Sequence, residues 1–221
     1  KGFHVDPILV ADARAPSGVL VTIVDPDGER SFLTDRGANL SLAPSDMPVY
    51  LLDEVSLVLV SGYSYFAEGP RAAITWLATE ARARDIRLAV DAASVGFIEE
   101  VGAGRFIEWT RGAAMLFCNR AEAQALSGSG DLDEQMRTLG RTADVVVVKL
   151  GAEGAALGDA TGVMVRLPAP RARVVDTTGA GDAFAAAFIT AEQNGERPEA
   201  CLAAGIAAGS AAVGKVGGQP G

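Results

Sequence analysis

Histidine, cysteine and long apolar runs are all scarce in this sequence. The single histidine, His4, nearly excludes histidine-based catalysis and histidine metal sites. Two cysteines, Cys118 and Cys201, are too few for a disulfide framework, and no Cys/His cluster indicates zinc. The longest uncharged stretch, 200–214, is rich in Ala and Gly. It is shorter than the ~20 strongly apolar residues of a membrane span, so we expect a tightly packed helix there.

Positive charge is also in short supply. The chain has 19 Lys and Arg against 28 Asp and Glu, a net charge of -9. Such a balance argues against general binding to nucleic acid or to an anionic membrane surface. The content of 49% hydrophobic and 21% charged residues indicates a globular protein. The low cysteine content fits a reducing, cytoplasmic setting. Because the chain begins at Lys1, within what reads as an element boundary, we expect further N-terminal sequence to be missing.

Short apolar runs alternate with helical patterns along most of the chain. An apolar run at 19–24, the turn Asp25–Gly28 and a return run at 30–34 predict a hairpin, which suits a lid, an interface or an ordinary sheet edge. Further strands are predicted at 57–60, 86–90, 114–117 and 145–148, with a second hairpin at 155–167. We expect 57–60 to be buried on both faces. The alternation predicts an α/β protein with a mainly parallel sheet.

Polar side chains stand at the carboxyl ends of the predicted strands, where α/β sheets bind ligands. These side chains are Ser61, Asp91, Asn119, Lys149 and Asp176.

The segment from Val174 to Phe184 organises the rest of the chain. The pair Val174-Val175 is predicted to end a strand, and Gly179-Ala180-Gly181 turns into a helix. Free backbone N–H groups and the helix dipole make this turn a candidate anion site. Asp182 in the first helical turn then suits a general base facing a phosphoryl group. The alternative is a simple helix start at which Asp182 complements the dipole, but acids at both ends of the motif favour the base.

Two further motifs have structural and functional interpretations. Asn119 and Glu122 have the spacing of a helix-capping pair, which spacing alone favours, and an amide with a carboxylate can also position Mg²⁺ through water. Lys149 and Gly151 lie in a turn that admits a flat ligand such as adenine, or that merely connects two elements.

Taken together, these motifs resemble the ribokinase-like carbohydrate kinases, also called phosphofructokinase-B-type sugar kinases. The segment 176–184 is similar to the C-terminal signature of that family, Asn119-x-x-Glu122 to its magnesium-associated motif and 148–151 to its nucleotide-side turn. The resemblance implies a three-layer α/β/α fold with a small β lid. It divides the chain into a partial lid region, 1–40, and an α/β kinase core with the nucleotide site, 41–221.

The resemblance also implies roles for individual residues. Asp182 is the base, and the N–H groups of Gly179, Ala180 and Gly181 form an anion hole. Asn119, Lys149 and Gly151 bind ATP, Glu122 holds Mg²⁺ through water, and Asn39 belongs to the lid or substrate site. A monovalent cation such as K⁺ is expected beside the anion hole, mostly on backbone atoms, at Asp176, Thr178, Ala212, Lys215 and Gly217.

The implied activity is ATP-dependent phosphorylation of a hydroxyl group on a sugar or sugar-like substrate. A nucleoside kinase of the same fold and a non-catalytic sensor of sugar or nucleotide are the alternatives. The resemblance further implies a homodimer formed through the lid, and 217–220 resembles the tail of a family loop. Two features depart from the family. Its N-terminal Gly-Gly motif is absent, and 91–94 reads Asp-Ala-Ala-Ser in place of an Asp-Pro-Asn-like sequence, which leaves Asp91 without an assigned role.

Overall fold

A computed structural model describes residues 9–24 and 30–217. The predicted turn at Asp25–Gly28, His4 and the stretch 218–220 lie outside the described residues. The chain separates into two compact units, the first comprising 1–55 and 64–85 and the second 56–63 and 86–221. None of the helices in the described residues is both long and apolar enough to cross a membrane.

The first unit contains the predicted hairpin. Strands β1 (Ser17–Val24) and β2 (Arg30–Gly37) pair antiparallel, with Ser17 opposite Gly37. Three 3₁₀ turns follow at Ala38–Ser41, Pro44–Asp46 and Val49–Leu52, and then helix α1 (Glu68–Arg82). The hairpin leaves large apolar side chains exposed on both of its faces, with Val19, Leu20 and Val21 each more than half exposed.

The second unit is built on a six-stranded sheet whose strand order follows the chain. Strands β3 to β6 are parallel, and β7 and β8 add an antiparallel hairpin at one edge. The bounds are β3 (Leu57–Ser61), β4 (Arg87–Asp91), β5 (Ala113–Asn119), β6 (Ala143–Lys149), β7 (Ala155–Asp159) and β8 (Gly162–Leu167). The predicted α/β architecture with a mainly parallel sheet is therefore confirmed.

Helices cover both faces of this sheet, which makes three layers. On one face α4 (Arg120–Ser127) and α5 (Leu132–Leu139) contact β5 and β6, and α2 (Val95–Val101) and α3 (Ala103–Thr110) pack against α4. The other face packs against α6 (Ala180–Gln193) and α7 (Pro198–Ala212). Helices α2 and α3 meet at Gly102, which has a φ of 86°.

The core between the sheet and α6–α7 is built around aromatic side chains. Phe117 of β5 is fully buried and meets Phe188 of α6 edge-to-face, with 5.4 Å between ring centroids. Both cysteines are free and buried, Cys118 at the end of β5 and Cys201 in α7, and burial raises the pKa of each thiol.

Two local expectations are wrong. Strand β3 is not buried on both faces, because it pairs only with β4 among the described strands and leaves Leu59 44% exposed. Val174 and Val175 belong to no strand, and their side chains are 65% and 47% exposed. The backbone N–H of Val175 instead donates to the carbonyl oxygen of Val213, just after α7, at 2.8 Å.

Candidate functional site

The start of α6 presents unpaired backbone donors. Gly179 is the N-cap residue with a φ of 76°, a left-handed conformation that glycine adopts without strain. Within the described residues, the N–H groups of Gly179 and Gly181 have no acceptor, and that of Ala180 makes only a long bond of 3.3 Å to the carbonyl oxygen of Thr177. These three N–H groups at the positive end of a 14-residue helix can hold an anion.

Asp182 lies in the first turn of α6, two residues after Ala180. Its side chain is exposed, and its carboxylate makes no hydrogen bond or ion pair with any residue that the structure describes. The carboxylate can therefore accept a proton from a bound molecule without first breaking a bond within the protein.

Asp176 ties the loop before α6 to the segment after α7. One carboxylate oxygen accepts the N–H of Thr178 at 2.8 Å, and the other accepts the N–H of Gly217 at 3.0 Å. Lys215 joins the same segment to Ala212 through a bond of 3.2 Å between its N–H and the carbonyl oxygen of Ala212. The structure thus brings the five predicted cation residues into one region.

Small residues of α7 let it approach the start of α6. A methyl group on Gly205 would lie 2.9 Å from the ring of Phe184, and one on Gly209 would lie 3.3 Å from the carbonyl oxygen of Ala180. Because Phe184 is only 5% exposed, this packing fixes the position of the first turn of α6.

Lys149 reaches the same place from the sheet. Its ammonium nitrogen lies 2.6 Å from Oδ2 of Asp91, and both side chains are mostly buried. A methyl group on Gly181 would lie 3.2 Å from that nitrogen, so the ammonium is directly against the first turn of α6. Sequence reasoning gave Asp91 no role. The available signal was an opposite charge at the ends of β4 and β6.

Asn119 and Glu122 form a reciprocal capping box at the start of α4. Asn119 Oδ1 accepts the N–H of Glu122 at 2.9 Å, and the Glu122 carboxylate accepts both the backbone N–H and the side-chain amide of Asn119 at 2.8 Å. Glu122 is only 3% exposed. Burial raises the pKa of its carboxyl group, against the opposing effects of the Asn119 N–H and the charge of Lys149.

This raised pKa predicts how stability depends on pH. An acid whose pKa is higher in the folded state contributes stability that is present below its ordinary value of 4.5 and is lost as pH rises through the folded pKa. Each unit of the rise corresponds to about 1.4 kcal/mol. We expect the free energy of unfolding of the natural protein, relative to Glu122→Gln, to fall as pH increases from 4.5 to 7.

Denaturant unfolding at several pH values measures this difference. Glu134→Gln is the matched control, because Glu134 occupies the same position in the first turn of α5 but is exposed. Subtracting the stability change of Glu134→Gln corrects for the interaction that any acid in the first turn makes with the helix dipole. A corrected difference that stayed constant, or moved in favour of the natural protein as pH rose, would contradict the prediction.

The remaining predicted residues lie in less constrained places. Gly151 begins a 3₁₀ turn one residue after the end of β6, with a φ of 62° and open space at the position that a Cβ would occupy. Asn39 belongs to the first unit, whereas the other predicted site residues belong to the second. Its side-chain amide would lie 2.7 Å from a methyl group on Gly18. No group of three or more His, Cys, Asp or Glu residues within 9–24 and 30–217 is arranged to hold a metal ion.

Comparison with known proteins identifies a family model that matches residues 4–221 and is described as the pfkB family of carbohydrate kinases. The chain is 27% identical over 208 residues to an uncharacterized sugar kinase of Archaeoglobus fulgidus, covering 91% of this chain and 77% of that protein. It is 32% identical over 196 residues to the aminoimidazole riboside kinase of Salmonella typhimurium, covering 80% of this chain and 57% of that protein.

A solved kinase structure is also similar to this chain. The crystal structure of adenosine kinase from Sinorhizobium meliloti superimposes with a TM-score of 0.86 at 30% identity, covering 93% of this chain. This chain spans 63% of the length of that adenosine kinase.

Proposed function

The chain belongs to the pfkB family of carbohydrate kinases, and on that premise we propose that the protein transfers the terminal phosphoryl group of ATP to a hydroxyl group of a sugar or sugar-like substrate. The observation that carries this proposal is the placement of Asp182 next to the N–H groups that begin α6, with its carboxylate not bonded to any described residue.

In the proposed reaction Asp182 accepts the proton of the substrate hydroxyl. The hydroxyl oxygen forms a bond to the terminal phosphorus as the bond from that phosphorus to ADP breaks, which leaves a sugar phosphate and ADP. The N–H groups of Gly179, Ala180 and Gly181 donate hydrogen bonds to the phosphoryl oxygens throughout. Fixed donors of this kind suit a loose transition state, in which positioning and charge stabilisation dominate catalysis.

The described residues fit a magnesium-bound nucleotide. Mg²⁺ in kinases is held largely by substrate phosphates and water, with one or two carboxylates, so a dedicated cage of acids is not needed. We propose that Glu122 holds this ion through water, because its two oxygens retain lone pairs beyond the two bonds from Asn119. Asn119 is the last residue of β5 and Gly151 lies just after β6, and both would line the nucleotide together with Lys149.

We also propose a monovalent cation, such as K⁺, beside the anion hole. Asp176 supplies the negative charge, and backbone atoms of Thr178, Ala212, Lys215 and Gly217 would complete the site. The supporting observation is the pair of bonds from Asp176 to Thr178 and Gly217, which gathers these segments together.

A nucleoside is the second candidate acceptor. It is favoured by the similarity to the adenosine kinase structure at 30% identity, and the aminoimidazole riboside kinase points to an intermediate class of ribosides. All three acceptor classes present a hydroxyl group to the same base.

The direct test is an ADP-formation assay with the purified full chain, ATP, Mg²⁺ and a panel of sugars, ribosides and nucleosides. We expect turnover that depends on one acceptor and that falls when Na⁺ replaces K⁺. A higher kcat/KM with a purine nucleoside than with any sugar would establish the nucleoside alternative. ATP binding without turnover on any acceptor would instead support a sensor. The presence of Asp182 speaks against that alternative, because a sensor has no need of a base.

The hairpin suggests an assembly. We propose that 1–40 is a lid region, with Asn39 toward the substrate, that 41–221 carries phosphoryl transfer, and that the hairpin pairs with a second copy of the chain. The support is the exposure of Val19, Leu20 and Val21, because a two-stranded ribbon alone is marginally stable in water.

A cytoplasmic location is proposed on the two free, buried cysteines and on the use of ATP.

A further inference from the structure

The ion pair between Asp91 and Lys149 spans two strands of the sheet. Asp91 ends β4 and Lys149 ends β6, with β5 between them. Neighbouring strands lie about 4.8 Å apart, so the two backbones are about 10 Å apart. The long lysine side chain crosses β5 to bring its ammonium within 2.6 Å of the Asp91 carboxylate.

The ammonium is held at an electrostatically unusual place. It lies against Gly181, at the positive end of the α6 dipole, where an isolated cation is disfavoured. Asp91 and the nearby buried Glu122 are the carboxylates that face it. Positive charge is therefore concentrated at one point from two independent sources, the ammonium and the N–H groups of α6.

Asp91 itself is firmly oriented. Its Oδ1 accepts the N–H of Ala93 at 3.2 Å while its Oδ2 accepts Lys149. Ala93 has a φ of 69°, a left-handed conformation that a non-glycine residue rarely adopts. A backbone bend of this kind persists only where the surroundings fix it, and the N–H of the bent residue is the one that Asp91 Oδ1 accepts.

From this geometry we infer that Lys149 contacts the phosphoryl group being transferred, at Gly181, and that Asp91 is a positioning residue that holds the ammonium there. The inference rests on the proposed function. An ammonium has three donors, so Lys149 keeps its bond to Asp91 while it donates to a phosphoryl oxygen. Lys149 therefore contacts the terminal phosphoryl end of the nucleotide and not its adenine ring.

Steady-state kinetics of Lys149→Met, Asp91→Asn and the double variant test the inference. Loss of one donor to a developing charge costs about 10²- to 10³-fold in kcat, which we expect for Lys149→Met with little change in KM for the acceptor. We expect a loss of about 10-fold for Asp91→Asn alone and no further loss when it is added to Lys149→Met, because the two residues act as one unit. Lys149→Arg restores part of the activity.

Nucleotide binding provides a readout that does not depend on turnover. Calorimetric Kd values for ATP and ADP in Lys149→Met are expected to show a weaker Kd for ATP and an almost unchanged Kd for ADP. Equal weakening for both nucleotides would place Lys149 at the adenine ring, the ribose or the α- or β-phosphate and overturn the inference. Independent, multiplicative losses of kcat in the double variant would remove the positioning role of Asp91.

A matched control breaks an ion pair at the other end of the same strand. Arg87 begins β4 and pairs in a bidentate manner with Glu192 of α6, with one bond of 2.9 Å. Glu192→Gln is expected to leave kcat and the ratio of ATP to ADP affinity unchanged. Thermal melting of each variant separates folding from function, and the double variant avoids a buried unpaired charge. A natural protein without turnover would overturn the proposed function, while the Kd values still decide where Lys149 binds.

Discussion

Replacing Asp182 with Asn lowers kcat by about 10²- to 10⁴-fold, the usual contribution of a positioned general base. Asparagine keeps the size and polarity of the side chain, but it cannot accept the proton of the substrate hydroxyl. The carboxylate is exposed and bonded to no described residue, so its removal leaves no partner unsatisfied. Loss of its interaction with the helix dipole costs at most about 1 kcal/mol of stability.

Glu199→Gln is the matched control for this variant. Glu199 is an exposed acid in the first turn of α7, where it has the same relation to a helix dipole without lying at the anion site. We expect its kcat to equal that of the natural protein and its change in stability to match that of Asp182→Asn. Full turnover by Asp182→Asn in the ADP-formation assay would exclude Asp182 as the base.

Replacing Phe117 with Ala is expected to cost about 3–5 kcal/mol of unfolding free energy, as large aromatic truncations in a core do. The Phe117 ring is fully buried, and its removal also eliminates the edge-to-face contact with Phe188 of α6. Phe117 also pairs with Asp91 in the parallel register, and its carbonyl oxygen accepts the N–H of Ala92 at 2.8 Å. The cavity is therefore expected to loosen the support of the Asp91–Lys149 pair and to lower kcat as well.

Chemical denaturation measures the loss, and two further variants calibrate it. Phe117→Leu retains most of the buried volume and should cost less than the Ala variant. Met164→Ala removes a side chain from β8 that is 53% exposed, and it should change stability by no more than about 0.5 kcal/mol. A change of similar size at Phe117 and Met164 would mean that the sheet and α6 are not packed as described.

Much of the fold follows from local chemistry. The run Val145–Val148 lies in a strand buried under helices, and such strands are continuously apolar because both faces are covered. The helix start at Gly179 is predictable because small residues and an acid mark it. The capping box of Asn119 and Glu122 is equally local, since it involves residues three apart on one helix.

Other features depend on distant parts of the chain, and local patterns do not contain them. Val174 and Val175 have strand composition, but the N–H of Val175 bonds to a carbonyl 38 positions later in the sequence, at Val213. The apolar run in β3 could not reveal that this strand pairs on one side only among the described strands. The bond between Asp91 and Lys149 joins residues 58 positions apart and depends on the register of three strands.

The two buried cysteines have a practical consequence for following motion in this protein. The thiolate is the form that attacks an alkylating reagent, so a thiol that is inaccessible and has a raised pKa reacts only when its surroundings open. Cys118 precedes Asn119 at the end of a central strand, and Cys201 lies on the helical layer that supports the start of α6. The rates of alkylation at the two thiols, distinguished by mass spectrometry, would therefore report the local opening of the sheet and of that helical layer independently, with no introduced cysteine.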